Sequence, residues 1–142
     1  MSVLADILST YSAALVTAGL TEYAPNREPR DPDASFHRKF ILDEDSGAAV
    51  LGDLQMGGTG IELITPLILT VHWEPSDVEP TIKATVANDQ FTILGVMLKQ
   101  SNATSAGCRL ITLKSIERED RKRPITKHFR FDARYLETGT FT

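Results

Sequence analysis

The sequence contains one cysteine, Cys108, and three histidines among its 142 residues. A single cysteine excludes an intramolecular disulfide, and the few thiols and imidazoles show no zinc-ligand spacing. No apolar run reaches the roughly 20 residues that a membrane-spanning helix needs. Residues 1–19 also lack the basic start and unbroken apolar centre of a signal peptide. We therefore expect a soluble protein, made in the cytoplasm, that binds no membrane and holds its fold by packing or by assembly.

The sequence also has no excess of basic residues. Fifteen Lys and Arg side chains stand against 19 Asp and Glu, which gives a formal net charge of −4 at pH 7 and a pI near 5.3. This balance argues against a domain whose main surface binds nucleic acid, because such a surface needs a net basic patch. The length falls within the usual range of one domain, so we predict a single domain over residues 1–142.

The longest apolar run covers residues 61–73 and predicts the central strand of a sheet. Its odd-numbered positions, which include Trp73, lie on one face, whereas Ile64 and Ile68 lie on the other. Both faces of its middle should therefore be covered, and a helix layer is expected on one side. Pro66 cannot donate to a sheet ladder, so it predicts a bulge, a bend or the end of a neighbouring strand.

Apolar residues at helical spacing predict a first helix over residues 2–19 and a second from Ser76 or Asp77 to about Gln100. Helix-weakening residues near Asn88 leave open a break there, and residues 102–107 are interpreted as an exit loop. Residues 36–42 and 48–54 are interpreted as a hairpin around an acidic turn.

Two strands are predicted to close the chain. Cys108–Arg118 contains one shift of apolar register, as a bulge would require. Residues 125–135 alternate strictly, which is typical of a half-exposed antiparallel strand. The prediction is an α+β fold with a single, mostly antiparallel sheet of four to five strands and two helices packed on it.

Residues suited to catalysis are few. His72 lies beside Trp73 on a strand and is interpreted as a structural histidine, and Cys108 as a small core residue. The acidic clusters at residues 43–45 and 117–120 fit hairpin turns better than an acid/base pair. The glycines at residues 57–60 precede a strand rather than a helix, which disfavours a phosphate-binding loop. An enzyme is the weaker hypothesis, and no catalytic residue, cofactor or metal is predicted.

Several segments have no obvious partner within the chain: the last strand, the proline-rich loop at residues 21–35, the turn at 55–60 and the tail at 135–142. Exposed strands and arms of this kind are usually covered by another chain. The candidate contact residues in these segments are Tyr23, Arg27, Arg30, Asp31, Met56, His128, Arg130, Tyr135 and Phe141.

The order of elements is an amphipathic helix, a polar loop, a hairpin, a long strand ending in Val71-His72-Trp73, a second helix and two closing strands. Over the whole chain this order resembles the small tail terminator proteins of long-tailed bacteriophages, on element order and length rather than on a diagnostic motif.

The resemblance implies a virion protein, assembled in the host cytoplasm, that forms a hexameric ring. The ring would cap the tail tube, end its polymerisation and join the tail to a head-side connector or stopper protein. Genomic DNA would pass through the lumen without sequence-specific binding. One alternative is a head-completion or connector protein of the neck. Another, from a different class, is a small-molecule-binding or enzymatic α+β domain, which a pocket with converging polar groups would favour.

Overall fold

The computed structural model describes residues 3–23, 37–45, 47, 49–51, 60–74, 79–119 and 125–138. Within these ranges the helices are α1 (Val3–Thr17), α2 (Glu79–Met97) and α3 (Gln100–Ala106). The strands are β1 (Thr21–Glu22), β2 (Lys39–Glu44), β3 (Ala49–Leu51), β4 (Gly60–Trp73), β5 (Cys108–Arg118) and β6 (Ile125–Thr138).

The described strands form a six-stranded sheet with the order β1-β2-β4-β6-β5, and β3 pairs with β4 beside β2. The β1–β2 pair is parallel, and the other pairs are antiparallel. The predicted α+β class with a mostly antiparallel sheet is therefore confirmed. The described elements exceed the predicted number because the very short strand β1 was not resolved by the sequence pattern and α3 occupies a segment predicted as a loop.

Strand β4 is the central strand, as predicted. It pairs with β6 over its full length, from Gly60 opposite Thr138 to Trp73 opposite Ile125. The side chains of Leu67, Leu69, Val71 and Trp73 are fully buried, and they belong to the same core as α1 and α2. Their shared parity places the helices on one face of the sheet.

Pro66 lies where one neighbouring strand stops and another starts. Strand β2 ends with Glu44 opposite Leu67, and β3 begins with Ala49 opposite Ile64. The carbonyl of Pro66 accepts a hydrogen bond from the backbone N–H of Asp45 at 2.9 Å. Of the three predicted alternatives for this proline, the end of a neighbouring strand is the one observed.

The same registers show that the predicted hairpin over residues 36–54 is wrong. Strands β2 and β3 both run antiparallel to β4 along one edge, so the chain keeps its direction past the acidic segment. Four positions, 45–48, separate the two strands, whereas only 65 and 66 separate their partners on β4. The two extra residues therefore interrupt the pairing along one edge of β4, and the chain does not reverse there.

The second predicted helix ends early. Helix α2 is continuous through Asn88 and stops at Met97, and α3 occupies most of the predicted exit loop. At the junction the side-chain amide of Asn102 donates to the carbonyl of Val96 at 2.8 Å, which satisfies an acceptor at the end of α2. Gly107, with a φ of 75°, ends α3 in the left-handed conformation that favours glycine.

The position of β6 corrects another prediction. This strand lies between β4 and β5, so the expectation that the last strand lacks a partner is wrong. Residues 135–138, predicted to start a free tail, belong to β6 because β4 extends far enough to pair with them. Strand β5 has two register shifts against β6, between Cys108 and Leu110 and between Leu113 and Ser115, where one was predicted.

A buried carboxylate ties α2 to the sheet. Asp89 is 7% exposed, and its Oδ2 accepts from the indole Nε1–H of Trp73 at 2.9 Å. The guanidinium of Arg38 donates to both Asp89 oxygens, at 2.8 and 2.9 Å. Arg38 has a φ of 57°, an uncommon conformation for a residue with a side chain, and the paired contact to Asp89 stabilises it there. Trp73 therefore packs between sheet and helix, as predicted.

Candidate interface on the sheet

The face of the sheet opposite the helices carries the candidate site, and we call it the open face. Even-numbered residues of β4 and β6 point to it, because directly opposed residues of an antiparallel pair share a face. Its central positions are Ile64, Pro66, Ile68, Thr70 and His72 on β4 and Thr126, His128, Arg130, Asp132, Arg134 and Leu136 on β6. The two rows run side by side and differ in chemistry.

The β6 row is charged, and its charges have partners on the same face. Arg130, whose side chain is 35% exposed, donates to Asp45 and lies 3.4 Å from Glu117. The hydrogen bond that Arg130 donates to Asp45 and the negative charges of both acids raise the pKa of Arg130. Asp132 lies 3.4 Å from Lys114.

One further pairing lies at the end of the row. Glu62 on β4 accepts from Arg109 at 3.1 Å, and its Oε1 lies 3.9 Å from the guanidinium of Arg134. Because the charges of the row are already matched, a partner that covers it would not meet isolated charges, which are far costlier to desolvate.

His128 links the β6 row to Glu119, after β5, and to Thr70 on β4. Its Nε2 lies 2.8 Å from a carboxylate oxygen of Glu119, and its Nδ1 lies 3.0 Å from the hydroxyl of Thr70. A carboxylate accepts but does not donate, so Nε2 carries a hydrogen and donates a hydrogen bond to Glu119. In the neutral ring Nδ1 then accepts from Thr70. The imidazole is therefore held on both sides in a fixed orientation.

His72 is the buried counterpart of His128. It is 4% exposed, its Nδ1 lies 2.8 Å from the hydroxyl of Thr126, and its ring centroid lies 5.5 Å from that of Tyr23. The Tyr23 hydroxyl lies 3.4 Å from Nε2. Burial lowers the pKa of His72, so the neutral ring is favoured at pH 7. Its burial and its hydrogen bond with Thr126 are consistent with the structural role predicted for this histidine.

The β4 row is apolar over its middle. Ile64, Pro66 and Ile68 follow one another along the open face, and Ile41 on β2 lies diagonally beside Ile68. We call these four residues the apolar row. All four side chains are half-buried, and none belongs to the core that the helices cover. The open face thus combines an uncharged strip with a neighbouring strip of paired charges.

The structure brings together some of the predicted contact residues. Tyr23, His128 and Arg130 lie on the open face or beside it. Tyr135 does not: it points to the helix side, is 2% exposed, and its hydroxyl forms a 2.8 Å hydrogen bond with Thr65. Its side chain is therefore a core group rather than a contact surface. Five predicted residues lie outside the described ranges, namely Arg27, Arg30, Asp31, Met56 and Phe141.

Sequence analysis missed the acids that neutralise the open face. Asp45, Glu117 and Glu119 were assigned to solvated turns, and they instead contact Arg130 and His128. No local pattern identifies these pairs, because Asp45 lies 85 positions from Arg130 in the chain. The exposed Phe91 of α2 was also missed, although apolar residues at helical spacing on two sides of one helix would have revealed it.

Other features of the described residues bear on chemistry. An open groove of about 460 Å³ lies between α1 and the β1–β2 edge and is lined by Leu8, Ser9, Ser12, Ala13, Glu22 and Leu42. Glu22 is the titratable group in that lining. Within the described ranges, no three His, Cys, Asp or Glu side chains are arranged to hold a metal ion. None of the described helices has the length and apolar character needed to cross a bilayer.

Comparison with models of known protein families finds no match to this chain, and comparison with curated proteins finds no match either.

Proposed function

We propose that the protein is a structural assembly protein of the tail terminator type. In this proposal copies of the chain close into a ring, most simply a hexamer, that caps a phage tail tube, ends its polymerisation and joins it to a head-side connector or stopper protein. The order of elements supports the proposal in part, since the described fold keeps the first helix, the long central strand, the second helix and the two closing strands of the resemblance. The hairpin that also belonged to the resemblance is not formed by the described strands β2 and β3.

The open face is the observation that carries the proposal. It is an extended surface that combines an apolar row with a row of charges already paired on the protomer. Ligand sites for small molecules are concave and enclose most of the ligand. A broad sheet face of this composition suits another protein surface better, because mixed apolar and paired polar groups are what stable interfaces bury.

The charge of the chain is consistent with a role around DNA rather than on it. A net charge of −4 gives DNA in a lumen little general attraction, so it could pass without being retained. A cyclic ring needs two different surfaces on each subunit, one for each neighbour. The open face would supply one of them.

The test is the assembly state of the purified chain, alone and with tail tubes of the same phage. We expect native mass spectrometry and negative-stain microscopy to show closed rings, and added rings to sit on tube ends and stop further growth. A monomer at every concentration, without binding to tubes, contradicts the proposal. Rings that bind the head-side portal and ignore tubes would instead support the alternative of a connector protein.

A further inference from the structure

Helix α2 presents apolar side chains on two sides. Its inner side places Ile82, Val86, Ile93 and Met97 in the core. Its outer side carries Ala84, Ala87, Phe91 and Gly95, and Leu98 follows directly after its end. These five residues are spaced three or four apart, and we call them the outer stripe. Phe91 is 82% exposed and Leu98 is 47% exposed. A helix that is apolar on both sides is typical of one that is covered on both sides.

Gly95 is a second, independent sign that another surface approaches the outer stripe. Glycine is among the poorest helix formers, and a side chain at this position would meet nothing within 4 Å. The protomer itself therefore gives no packing reason for a glycine at this position in the last turn of α2. Close approach of another backbone or of a large side chain is a common reason for glycine at such a position.

The outer stripe and the open face lie on opposite sides of the protomer. The helices form one layer, whose outer surface includes the stripe, and the sheet forms the other layer, whose outer surface is the open face. A contact between the stripe of one copy and the open face of the next would repeat in the same sense from copy to copy. A head-to-tail contact of this kind closes into a ring when the rotation between successive copies divides a full turn, and otherwise forms an open filament.

The chemistry of the two surfaces also matches. The outer stripe carries no charge, and neither does the apolar row of Ile41, Ile64, Pro66 and Ile68. Beyond the last residue of the stripe lies the exposed Lys99, and the exposed Asp43 pairs directly with Ile68 across β2 and β4. Among the described residues, Asp43 is bonded to the backbone N–H of Glu44. An ion pair between Lys99 and Asp43 would orient α2 on the sheet.

We propose that the outer stripe of α2 packs on the apolar row of the open face in a second copy of the chain. This inference rests on the proposed ring, and it names the two surfaces that would close it. Each subunit's sheet would then have a helix on both faces, its own on one and its neighbour's on the other. From Ala84 to Leu98 the stripe is about 21 Å long at 1.5 Å per residue, so we expect it to form the centre of a larger interface.

The test uses two variants of the outer stripe and one variant of the apolar row. Phe91→Asp and Gly95→Leu alter the outer stripe, and Ile68→Glu alters the apolar row. Gly95→Leu adds a side chain into open space, so it should leave the protomer folded. Val16→Asp is the matched control, because Val16 is an exposed apolar residue of α1 outside both surfaces. Circular dichroism checks folding, and sedimentation velocity measures association.

We expect the parent chain and Val16→Asp to form rings, and each of the other variants to dissociate at concentrations at least tenfold higher than the parent. Mixing Gly95→Leu with Ile68→Glu should give a one-to-one dimer. The first variant keeps an intact open face and the second keeps an intact stripe, so one contact forms and the chain of contacts ends there.

Three results would overturn the inference, and they differ in what they leave standing. Rings that persist in Phe91→Asp and Gly95→Leu would refute the role of α2 but leave the proposed ring in place. Dimers of Ile68→Glu alone, without a mixed dimer, would show that the stripe pairs with itself. A parent chain that stays monomeric under all conditions would refute the ring and the inference together.

Discussion

The bond between Trp73 and Asp89 allows the central packing of the fold to be tested quantitatively. Trp73 is fully buried between β4 and α2, and its Nε1–H donates to Asp89 at 2.9 Å. Replacement of a buried tryptophan by alanine costs about 3–5 kcal/mol, mostly from lost packing and the cavity left behind. Since a domain of this size has about 5–15 kcal/mol of stability in total, Trp73→Ala should leave a marginal fold.

Trp73→Phe separates the hydrogen bond from the packing. Phenylalanine retains most of the apolar volume but has no donor, so Asp89 keeps only its bonds from Arg38. Because a hydrogen bond to a charged group contributes about 1.5–3 kcal/mol, we expect a loss in the unfolding free energy of about 2 kcal/mol. In an Asp89→Ala background the cost of Trp73→Phe should be smaller by at least about 1 kcal/mol, since the acceptor of the hydrogen bond is already missing.

Urea unfolding of the four proteins in this cycle, followed by tryptophan-independent circular dichroism, gives the coupling energy. Phe91→Ala is the control, because it removes an aromatic group from the same helix at an exposed position and should cost under about 0.5 kcal/mol in the monomer. Effects of Trp73→Phe and Asp89→Ala that simply add would refute a stabilising bond. An unchanged urea midpoint for Trp73→Ala would refute the burial of the indole.

Three other predictions concern titration, reactivity and association. Burial lowers the pKa of His72, so the unfolded chain binds a proton on this ring more readily than the folded protein does. The stability that the neutral ring contributes is therefore present above about pH 6.5, the ordinary pKa of histidine, and is lost as pH falls. Urea midpoints measured from pH 7.5 to 5 should therefore fall less steeply for His72→Gln than for the parent, and equal slopes would contradict this account. Burial raises the pKa of the Cys108 thiol, so a thiol reagent at pH 8 should label the native protein at least tenfold more slowly than the urea-unfolded protein, and equal rates would show that Cys108 is accessible. Lys99→Glu should weaken association by up to about fivefold, as expected for an exposed ion pair of about 0–1 kcal/mol. Adding Asp43→Lys should restore association in the double variant. Failure of that rescue would show that Lys99 and Asp43 do not pair at the interface.

The sequence predicted well those features that depend on local periodicity. Alternation along residues 61–73 identified the helix-facing side of β4, and the missing donor of Pro66 predicted the interruption beside it. The same parity rule could have corrected Tyr135, because it shares its face with Phe129 and Phe131 and all three are buried. The alternation that places Phe129 and Phe131 in the core thus extends to Tyr135 and excludes it from a free tail.

The features that failed depend on contacts between distant segments. Alternation shows which face a side chain occupies but not which strand lies next to it, so the position of β6 between β4 and β5 had no local signal. For the same reason the acidic segment after β2 was interpreted as a reversal, although β2 and β3 share one edge of β4. The ion pairs of the open face arise only when those strands meet.

Pro66 also determines which alignment of β2 the central strand accepts. Its carbonyl points to the β2 side, where it accepts from Asp45, and in an extended residue the nitrogen faces the same way. If β2 slid two residues toward the start of β4, its side chains would keep their faces, but the Pro66 nitrogen would then lie opposite Asp43, inside the strand, instead of opposite Asp45, just beyond its end. The misaligned pairing would lack a hydrogen bond in the interior of β2, whereas the native pairing lacks it only where β2 has already ended. The missing backbone N–H of Pro66 thus disfavours this alternative alignment, which hydrophobic patterning alone would permit.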